Sequence, residues 1–141
     1  MKLQFSISEL SSYLDEVFPQ VVNRYRIVDL QQGYARVIQN MTQENLRPGG
    51  TVSGPTIFSL VDILMYILLR AHIGKEPPAV NTNCSIDSLK KPKMDEELFA
   101  DCNLLKLGKT LVVGEVLVKS SDKEALLARS SITYYRPKAQ S

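Results

Sequence analysis

The sequence predicts an α+β fold in which one antiparallel sheet encloses a long helix. At 141 residues the chain is about one domain long, so a single core is expected over residues 1–141. Apolar residues fill almost every position of Pro55–Leu69, and a helix of this kind must be covered on all sides. Six segments typical of strands lie outside that stretch, and a curved sheet of about six strands can surround it.

The first elements are expected in the order helix, strand, strand. An amphipathic pattern from Ser8 predicts a short first helix, which proline ends near Pro19. Two segments rich in β-branched and aromatic residues follow, Arg24–Leu30 and Tyr34–Ile38. A short polar segment that ends in Gly33 separates them, so the pair is predicted to form a hairpin.

The long apolar helix is predicted from Gly54 or Pro55 to about Ala71. Proline is favoured in the first turn of a helix, and Gly74 is a typical stop signal. Polar residues and glycines before Gly54 predict a shaped loop. Four strands are expected after the helix, and tight connections between the last three favour antiparallel pairing: Ala79–Leu89, Glu97–Leu107, Thr110–Lys119 and Ala125–Tyr135.

Charge and composition argue against several classes of protein. The chain has 17 basic and 15 acidic side chains, and its net charge of +2 lacks the basic footprint of a nucleic-acid binder. The apolar run is shorter than about 18 residues and contains Asp62, so no membrane span is expected. Cys84 and Cys102 lack companion ligands at metal spacing, which predicts free thiols and no metal. Without a secretory signal pattern, a cytoplasmic location is expected.

Asp62 is the strongest candidate for a functional residue, because it is the only charged residue in Pro55–Leu69. Burying an ionised carboxylate without partners is costly, so its presence predicts a structural or catalytic role. Ser59 and Tyr66 share its helical face at i−3 and i+4. Either hydroxyl is expected to hydrogen-bond the carboxylate or to be an ordinary core group. His72, the one histidine, is expected to cap the last helical turn.

The predicted architecture and the string GGTVSGPTIFSLVD, from Gly49 to Asp62, resemble the hotdog-fold acyl-CoA thioesterases of the phenylacetate-degradation (PaaI-like) type. The likeness covers nearly the whole chain. In that family a His-Gly-Gly segment opens the central helix, and an acidic residue about two turns later supplies the catalytic carboxylate. Ser53-Gly54-Pro55 and Asp62 occupy those places in this chain.

The resemblance implies a role for each of these positions. Asp62 would act as general base on a water, or directly as nucleophile, against the thioester carbonyl. The backbone N–H of Gly54 would stabilise the developing oxyanion at the helix N-terminus. Pro55 stands in place of a second glycine and has no N–H to donate. Asn81 falls where some relatives place a Ser or Thr that orients the water.

Other positions are predicted to contact the substrate. Arg47 replaces a polar residue near the carboxylate and is expected to pair with Asp62. Strand alternation puts Asn81, Asn83, Ser85 and Asp87 on one side, which is expected to face a cleft or a subunit seam, with plain solvent as the alternative. The resemblance places Lys106–Thr110 near the phosphates of coenzyme A, although a hairpin with solvated lysines fits the same residues. The predicted substrate-binding residues are Arg47, Ser53, Ser59, Asn83, Lys106, Gly108 and Lys109.

Three functions stay open on this basis. The resemblance favours a homodimeric or tetrameric enzyme that hydrolyses an acyl-CoA, with sites between subunits and no cofactor beyond the coenzyme A of its substrate. The alternative is a non-catalytic acyl-CoA binding or sensing protein, in which Arg47 holds Asp62 as an ion pair. A hotdog dehydratase or hydratase needs a histidine near the carboxylate, and His72 is misplaced for that role.

Overall fold

The computed structural model describes residues 2–19, 24–42, 45–75, 79–91, 97–120 and 125–137. These residues form two helices and one six-stranded antiparallel sheet, which confirms the predicted α+β hotdog architecture. The elements are α1 Ile7–Val17, β1 Tyr25–Gln31, β2 Tyr34–Gln39, α2 Gly54–Ile73, β3 Val80–Ser88, β4 Leu98–Leu107, β5 Leu111–Ser120 and β6 Leu126–Tyr135.

The strands lie in the order β1-β2-β4-β5-β6-β3 across the sheet. All five neighbouring pairs are antiparallel, including β4–β5 and β5–β6, for which the tight connections predicted this pairing. Within this sheet β1 and β3 are the edge strands, and each leaves one row of backbone groups without a strand partner. The order also brings β3, the first strand after the central helix, beside the last strand of the chain.

The central helix α2 packs against β2, β4, β5 and β6. Ser53 caps its N-terminus, Pro55 lies in the first turn, and 13 of its 20 residues are buried. Each fully buried Leu, Ile or Met side chain stabilises the fold by about 1.5–3 kcal/mol relative to exposure. The length of the helix and its mean hydropathy of 1.7 would also suit a membrane span, but enclosure by the sheet accounts for the same composition.

Close approach of α2 to the sheet depends on Gly114 in β5. A Cβ at this position would lie 2.9 Å from Sδ of Met65 and 3.3 Å from Sγ of Cys102. Both neighbours are fully buried, so an added Cβ would have to displace the Met65 side chain within a packed core. Burial also raises the pKa of the Cys102 thiol to about 12, so the thiol stays protonated. Cys84 and Cys102 are both free, as predicted.

His72 joins the last turn of α2 to the β1–β2 turn. Its Nε2 accepts a hydrogen bond from the Gly33 N–H at 3.0 Å, and its Nδ1 lies 2.9 Å from the Leu68 carbonyl oxygen. This pattern requires a neutral ring with the proton on Nδ1. The role of His72 is structural, as predicted, but the ring holds a turn of the sheet rather than placing a charge at the helix end.

Candidate active site

Asp62 is half-buried on the side of α2 that faces β3 and β6. Its Oδ1 accepts hydrogen bonds from the Tyr134 hydroxyl at 2.5 Å and from Nδ2 of Asn81 at 3.3 Å. The Tyr134 hydroxyl also lies 3.1 Å from the backbone oxygen of Asp62. Within the described parts of the chain, Oδ2 receives no hydrogen bond. The carboxylate is therefore held through one oxygen, and the other is available to a reactant.

Tyr134 is a site residue that the sequence did not predict. It lies on β6 and is only 3% exposed. Burial, followed by the hydrogen bond to Asp62, raises the pKa of the Tyr134 phenol well above its usual value, so the group stays a neutral donor. Alternation along β6 shows that Tyr134 faces inward. Its place beside Asn81 depends on the pairing of β6 with β3, which no local pattern reveals.

A β-bulge in β3 separates Asn81 from Asn83. The register shifts between these two residues, so Thr82 is an extra residue in the strand. Asn81 consequently faces α2 and reaches Asp62. The prediction that Asn81 and Asn83 share a face was wrong, because simple alternation assumes an unbroken strand. The opposite face carries the exposed residues Asn83, Ser85 and Asp87.

The first turn of α2 presents one backbone donor that is available to a ligand. The side-chain Oγ of Ser53 accepts a hydrogen bond from the Thr56 N–H at 3.3 Å. The backbone carbonyl oxygen of Ser53 accepts one from the Ile57 N–H at 3.3 Å. Pro55 has no N–H. Among the residues that the structure describes, the Gly54 N–H has no acceptor. A negative charge at this helix N-terminus would be stabilised by that N–H and by the helix dipole.

Gly54 and Asp62 lie too far apart on α2 to act on one carbonyl group within a single chain. They are separated by eight positions, which at about 1.5 Å of rise per residue places them about 12 Å apart along the helix axis. Groups that bind a reacting carbonyl must approach it to about 3 Å. A site that uses both residues therefore requires a second copy of the chain.

The loop before α2 is fixed mainly by its own backbone. The Arg47 N–H donates to the Thr51 carbonyl at 2.8 Å, and the Gly50 N–H donates to the Arg47 carbonyl at 3.1 Å. Gly49 and Gly50 have φ values of 102° and 81°, a region that favours glycine. The Arg47 side chain is exposed, and none of the ion pairs of the described residues joins it to Asp62. The predicted pairing is absent because two helical turns separate Asp62 from this loop.

Neither Ser59 nor Tyr66 hydrogen-bonds Asp62 within the described part of the chain. The Tyr66 hydroxyl instead accepts from Nε of Arg70 at 3.3 Å, and the Arg70 guanidinium lies 5.4 Å from the centre of the Tyr66 ring. Phe18 packs against the same ring at 5.6 Å. Ser59 is exposed and lines a cleft at the start of α2.

This polar cleft has a volume of about 200 Å³ and lies between the start of α2 and the ends of β1 and β2. Ten of the described residues line it; nine of these have polar side chains, and none of the ten is acidic. Ser53 and Pro55 both line it, so the cleft begins directly beside Gly54. The strands and the following segment contribute Tyr25, Gln39 and Asn40, and the helix contributes Thr56 and Ser59.

The predicted phosphate-binding residues lie at the end of β4 and on the β4–β5 connection. Lys106 and Lys109 are exposed, and the Gly108 carbonyl accepts from Nη1 of Arg136 at 3.0 Å. A Cβ at Gly108 would come within 2.8 Å of the Leu111 carbonyl oxygen, so glycine is needed here. This connection and Asn81 lie at the same end of the sheet, because cross-strand partners run from Leu107 through Val112 and Tyr134 to Asn81.

The family model described as the Thioesterase superfamily matches residues 49–127, more than half of the sequence. The chain belongs to this superfamily. The matched range contains Gly54, Asp62 and Asn81, and the predicted resemblance to the hotdog thioesterases is confirmed. Membership supports thioester hydrolysis as the general activity.

Three solved structures illustrate the likeness. A candidate thioesterase from Silicibacter sp. is 46% identical, covers 98% of this chain and 96% of its own, and superposes with a TM-score of 0.91. A mutant form of the phenylacetic acid degradation protein PaaI from Thermus thermophilus is 20% identical over 89% of this chain and 99% of its own, with a TM-score of 0.72. A Streptococcus mutans protein bound to acetyl-CoA is 24% identical over 85% and 94%, with a TM-score of 0.73. The last two show the shared fold.

Proposed function

We propose that the protein is an acyl-CoA thioesterase in which Asp62 acts as general base or as nucleophile. The observation that carries the proposal is the asymmetric binding of the Asp62 carboxylate. Tyr134 and Asn81 both bind Oδ1, which fixes the orientation of the group. The second oxygen, Oδ2, is left for a water molecule or for the thioester carbonyl carbon.

Either route ends with a carboxylic acid and free coenzyme A. In the base route, Oδ2 takes a proton from water while the water oxygen adds to the thioester carbonyl. When the C–S bond breaks, the leaving thiolate takes this proton from Asp62. In the nucleophile route, Oδ2 attacks the carbonyl, the thiolate leaves and a mixed anhydride forms, which water then hydrolyses. In both routes a Gly54 N–H would bind the oxyanion.

The proposed site lies between two copies of the chain, which follows from the separation of Gly54 and Asp62 on α2. Two exposed apolar side chains near Asp62 support this arrangement. Val80 precedes Asn81 on the edge strand β3 and is 55% exposed, and Phe58 lies one turn before Asp62 and is 44% exposed. Contact with a second copy would bury both groups and could extend the sheet at its β3 edge.

Coenzyme A is the proposed carrier of the acyl group. The Streptococcus mutans protein with this fold binds acetyl-CoA. In this chain the exposed Lys106 and Lys109 lie at the end of the sheet that carries Asn81, where they can meet phosphate groups. The ion pair that the sensing alternative assumed is absent among the described residues of one chain, because Arg47 does not pair with Asp62 there. The dehydratase alternative also lacks a suitable histidine, since His72 is bound to Gly33 and Leu68.

The proposal is tested by replacing Asp62 with Asn, which keeps the shape and the acceptor Oδ1 but removes the base. Hydrolysis of acyl-CoA thioesters should fall by about 10²- to 10⁴-fold, the usual contribution of a positioned base, whereas acyl-CoA binding should remain. Thiol release would be measured over a panel of chain lengths that includes aromatic thioesters. Asp87→Asn, at an exposed carboxylate on the outer side of β3, is the matched control. Full activity in Asp62→Asn, or no hydrolysis of any thioester by the wild type, would contradict the proposal.

A further inference from the structure

We propose that Arg136 is a positioning residue, which holds the β4–β5 turn and its lysines in place and thereby sets the affinity for coenzyme A. This inference rests on the proposed function, in which Lys106 and Lys109 meet the phosphate groups of the substrate. Arg136 directly follows β6, the strand on which Tyr134 binds Asp62. A contact between Arg136 and the turn therefore links the part of the site that binds the nucleotide to the part that acts on the thioester.

The β4–β5 turn, residues 108–110, lies beyond the ends of two strand ladders. The pairing of β4 with β5 ends at Leu107 and Val112. The pairing of β5 with β6 ends at Leu111 and Tyr135. The position of the turn relative to the sheet therefore depends on contacts other than strand pairing.

Arg136 makes two hydrogen bonds to this turn. Its Nη1 donates to the Gly108 carbonyl oxygen at 3.0 Å, and its backbone N–H donates to the Thr110 carbonyl oxygen at 2.7 Å. The two acceptors belong to the first and last residues of the turn, so both ends are tied to the end of β6. The bond from the guanidinium is the stronger kind, because its donor carries a charge.

Both lysines depend on the position of the turn. A Cβ at Gly108 would lie 3.1 Å from Cε of Lys106, so the Lys106 side chain crosses the turn at the residue that Arg136 binds. Lys109 is the next residue along the chain. A displaced Gly108 carbonyl would therefore move both ammonium groups. Because lysine side chains are flexible, a fixed backbone beneath them lowers the ordering cost of binding a phosphate group.

The test compares a thioester of coenzyme A with one that lacks the nucleotide. KM for butyryl-CoA should rise about tenfold in Arg136→Met, as expected for the loss of one hydrogen bond from a charged donor. KM for S-butyrylpantetheine, which carries no phosphate group, should stay within about twofold of the wild-type value, as should kcat for both thioesters. Arg129→Met is the matched control, because it removes the same charge from an exposed residue of β6 that pairs with Asp87 at 3.4 Å. It should leave both KM values unchanged.

A double-mutant cycle separates positioning from direct binding of phosphate. In a Lys106→Met/Lys109→Met background, Arg136→Met should raise KM for butyryl-CoA by less than about twofold, since the lysines that it positions are already gone. A further tenfold rise, about the size of the effect in the wild-type background, would show that Arg136 binds phosphate itself. That result would overturn the positioning role.

An unchanged KM for butyryl-CoA in Arg136→Met, or an equal rise for both thioesters in a folded variant, would also overturn the inference. If circular dichroism shows that Arg136→Met does not fold, Gly108→Ala decides instead. Its Cβ would lie 2.8 Å from the Leu111 carbonyl oxygen and displace the turn, so it should give the same selective rise.

Hydrolysis by the wild type is scored separately. A wild-type protein that hydrolyses neither thioester counts against the thioesterase proposal. The dissociation constant of coenzyme A, measured by calorimetry, then tests the inference, and it should rise about tenfold in Arg136→Met. No binding of coenzyme A by the wild type, or equal binding by the two proteins, would overturn the inference.

Discussion

The two oxygens of Asp62 have different surroundings, and this difference gives the residue its proposed role. Oδ1 accepts from Tyr134 and Asn81, while Oδ2 has no donor among the described residues. A carboxylate with both oxygens bound to fixed donors would have a fixed orientation, but neither oxygen would be left to bind a reactant. One with neither oxygen bound would rotate and lose the alignment that catalysis requires. The arrangement therefore combines a fixed side chain with one free acceptor.

Replacing Tyr134 with Phe should lower kcat by about tenfold to a hundredfold with little change in KM, because a hydrogen bond to a charged group contributes about 1.5–3 kcal/mol. Steady-state hydrolysis of the best thioester would measure the loss. Tyr135→Phe, the next residue and 39% exposed, is the matched control.

A double-mutant cycle separates this positioning role from a general effect on stability. In the Asp62→Asn background, Tyr134→Phe should cause little further loss of activity, since the group that it orients is already disabled. A full additional loss would show that Tyr134 acts elsewhere.

The sequence alone pointed to Asp62 as a functional candidate, because burying a single carboxylate in an apolar helix is costly. A role for Gly54, at the start of the same helix, was implied by the resemblance to the hotdog thioesterases. Tyr134 was not predictable, because its contact with Asp62 spans 72 positions in the sequence and depends on the order of strands. A local sequence pattern predicts which face of a strand a side chain lies on. It does not predict which residue of a neighbouring element contacts that side chain.

At the scale of elements, the helices and strands of the described residues have the predicted order and type, and the errors lie within them. The first helix begins at Ile7 after a Ser6 cap, not at Ser8, because Ser6 and Glu9 form a reciprocal capping box. In β3 the bulge at Thr82 reverses the predicted face of Asn81 relative to Asn83. An alternating pattern of small polar residues carries no signal for a bulge of this kind, so the error could not be avoided from the sequence.

The outer face of the sheet carries a second charged group that stabilises the fold. Asp101 on β4 accepts from Nε of Arg36 at 2.7 Å and from the Tyr34 hydroxyl at 2.5 Å, with Nζ of Lys119 at 3.6 Å. Burial alone would raise the pKa of the Asp101 carboxyl, but these donors and charges together lower it below its usual value. The cluster therefore ties β2, β4 and β5 together across the sheet.

A lowered pKa in the folded state has a definite consequence for stability. Ionised Asp101 stabilises the fold above the unfolded-state pKa of about 3.9, and this contribution is lost as the pH falls through the lower folded-state value. The free energy of unfolding in urea should therefore fall from pH 5 to pH 3 by less in Asp101→Asn than in the wild type. At pH 5 the variant should be less stable by about 1–3 kcal/mol. Parallel pH profiles for the two proteins would show that Asp101 does not contribute.

At the scale of the whole molecule, the long helix sets the architecture of the site. The sheet encloses α2 as one continuous helix. The Gly54 N–H lies at the start of this helix, and the Asp62 carboxylate lies near its middle. The two groups are fixed about 12 Å apart along one helix. They can act on one carbonyl group only if the helix start of a second copy lies beside Asp62 of the first copy. Family resemblance predicted a shared site, and the helix geometry requires one if Gly54 and Asp62 act on the same carbonyl group.

The chain offers a clean way to remove the oxyanion donor. Proline is accepted at the first position of a helix, and Ser53 before it has an extended ψ of 153°, so Gly54→Pro should remove the N–H. Because residue 54 also precedes Pro55, whose ring disfavours the helical backbone region there, circular dichroism of the variant should accompany the assay. Gly54→Ala keeps the N–H, and its added Cβ would meet no atom within 4 Å outside its chain neighbours and the nearby helix backbone. Gly54→Pro should therefore lose about 10²- to 10³-fold in kcat, and Gly54→Ala should retain activity.

The most direct test of the shared site mixes two inactive variants. Gly54→Pro and Asp62→Asn proteins would be unfolded together, refolded and assayed for acyl-CoA hydrolysis. If each site combines Gly54 of one copy with Asp62 of another, mixed dimers contain one intact site, and random pairing should restore about a quarter of wild-type activity. No recovery, in a mixture shown by mass spectrometry to contain mixed dimers, would contradict a site in which Asp62 and Gly54 of different copies act on one thioester.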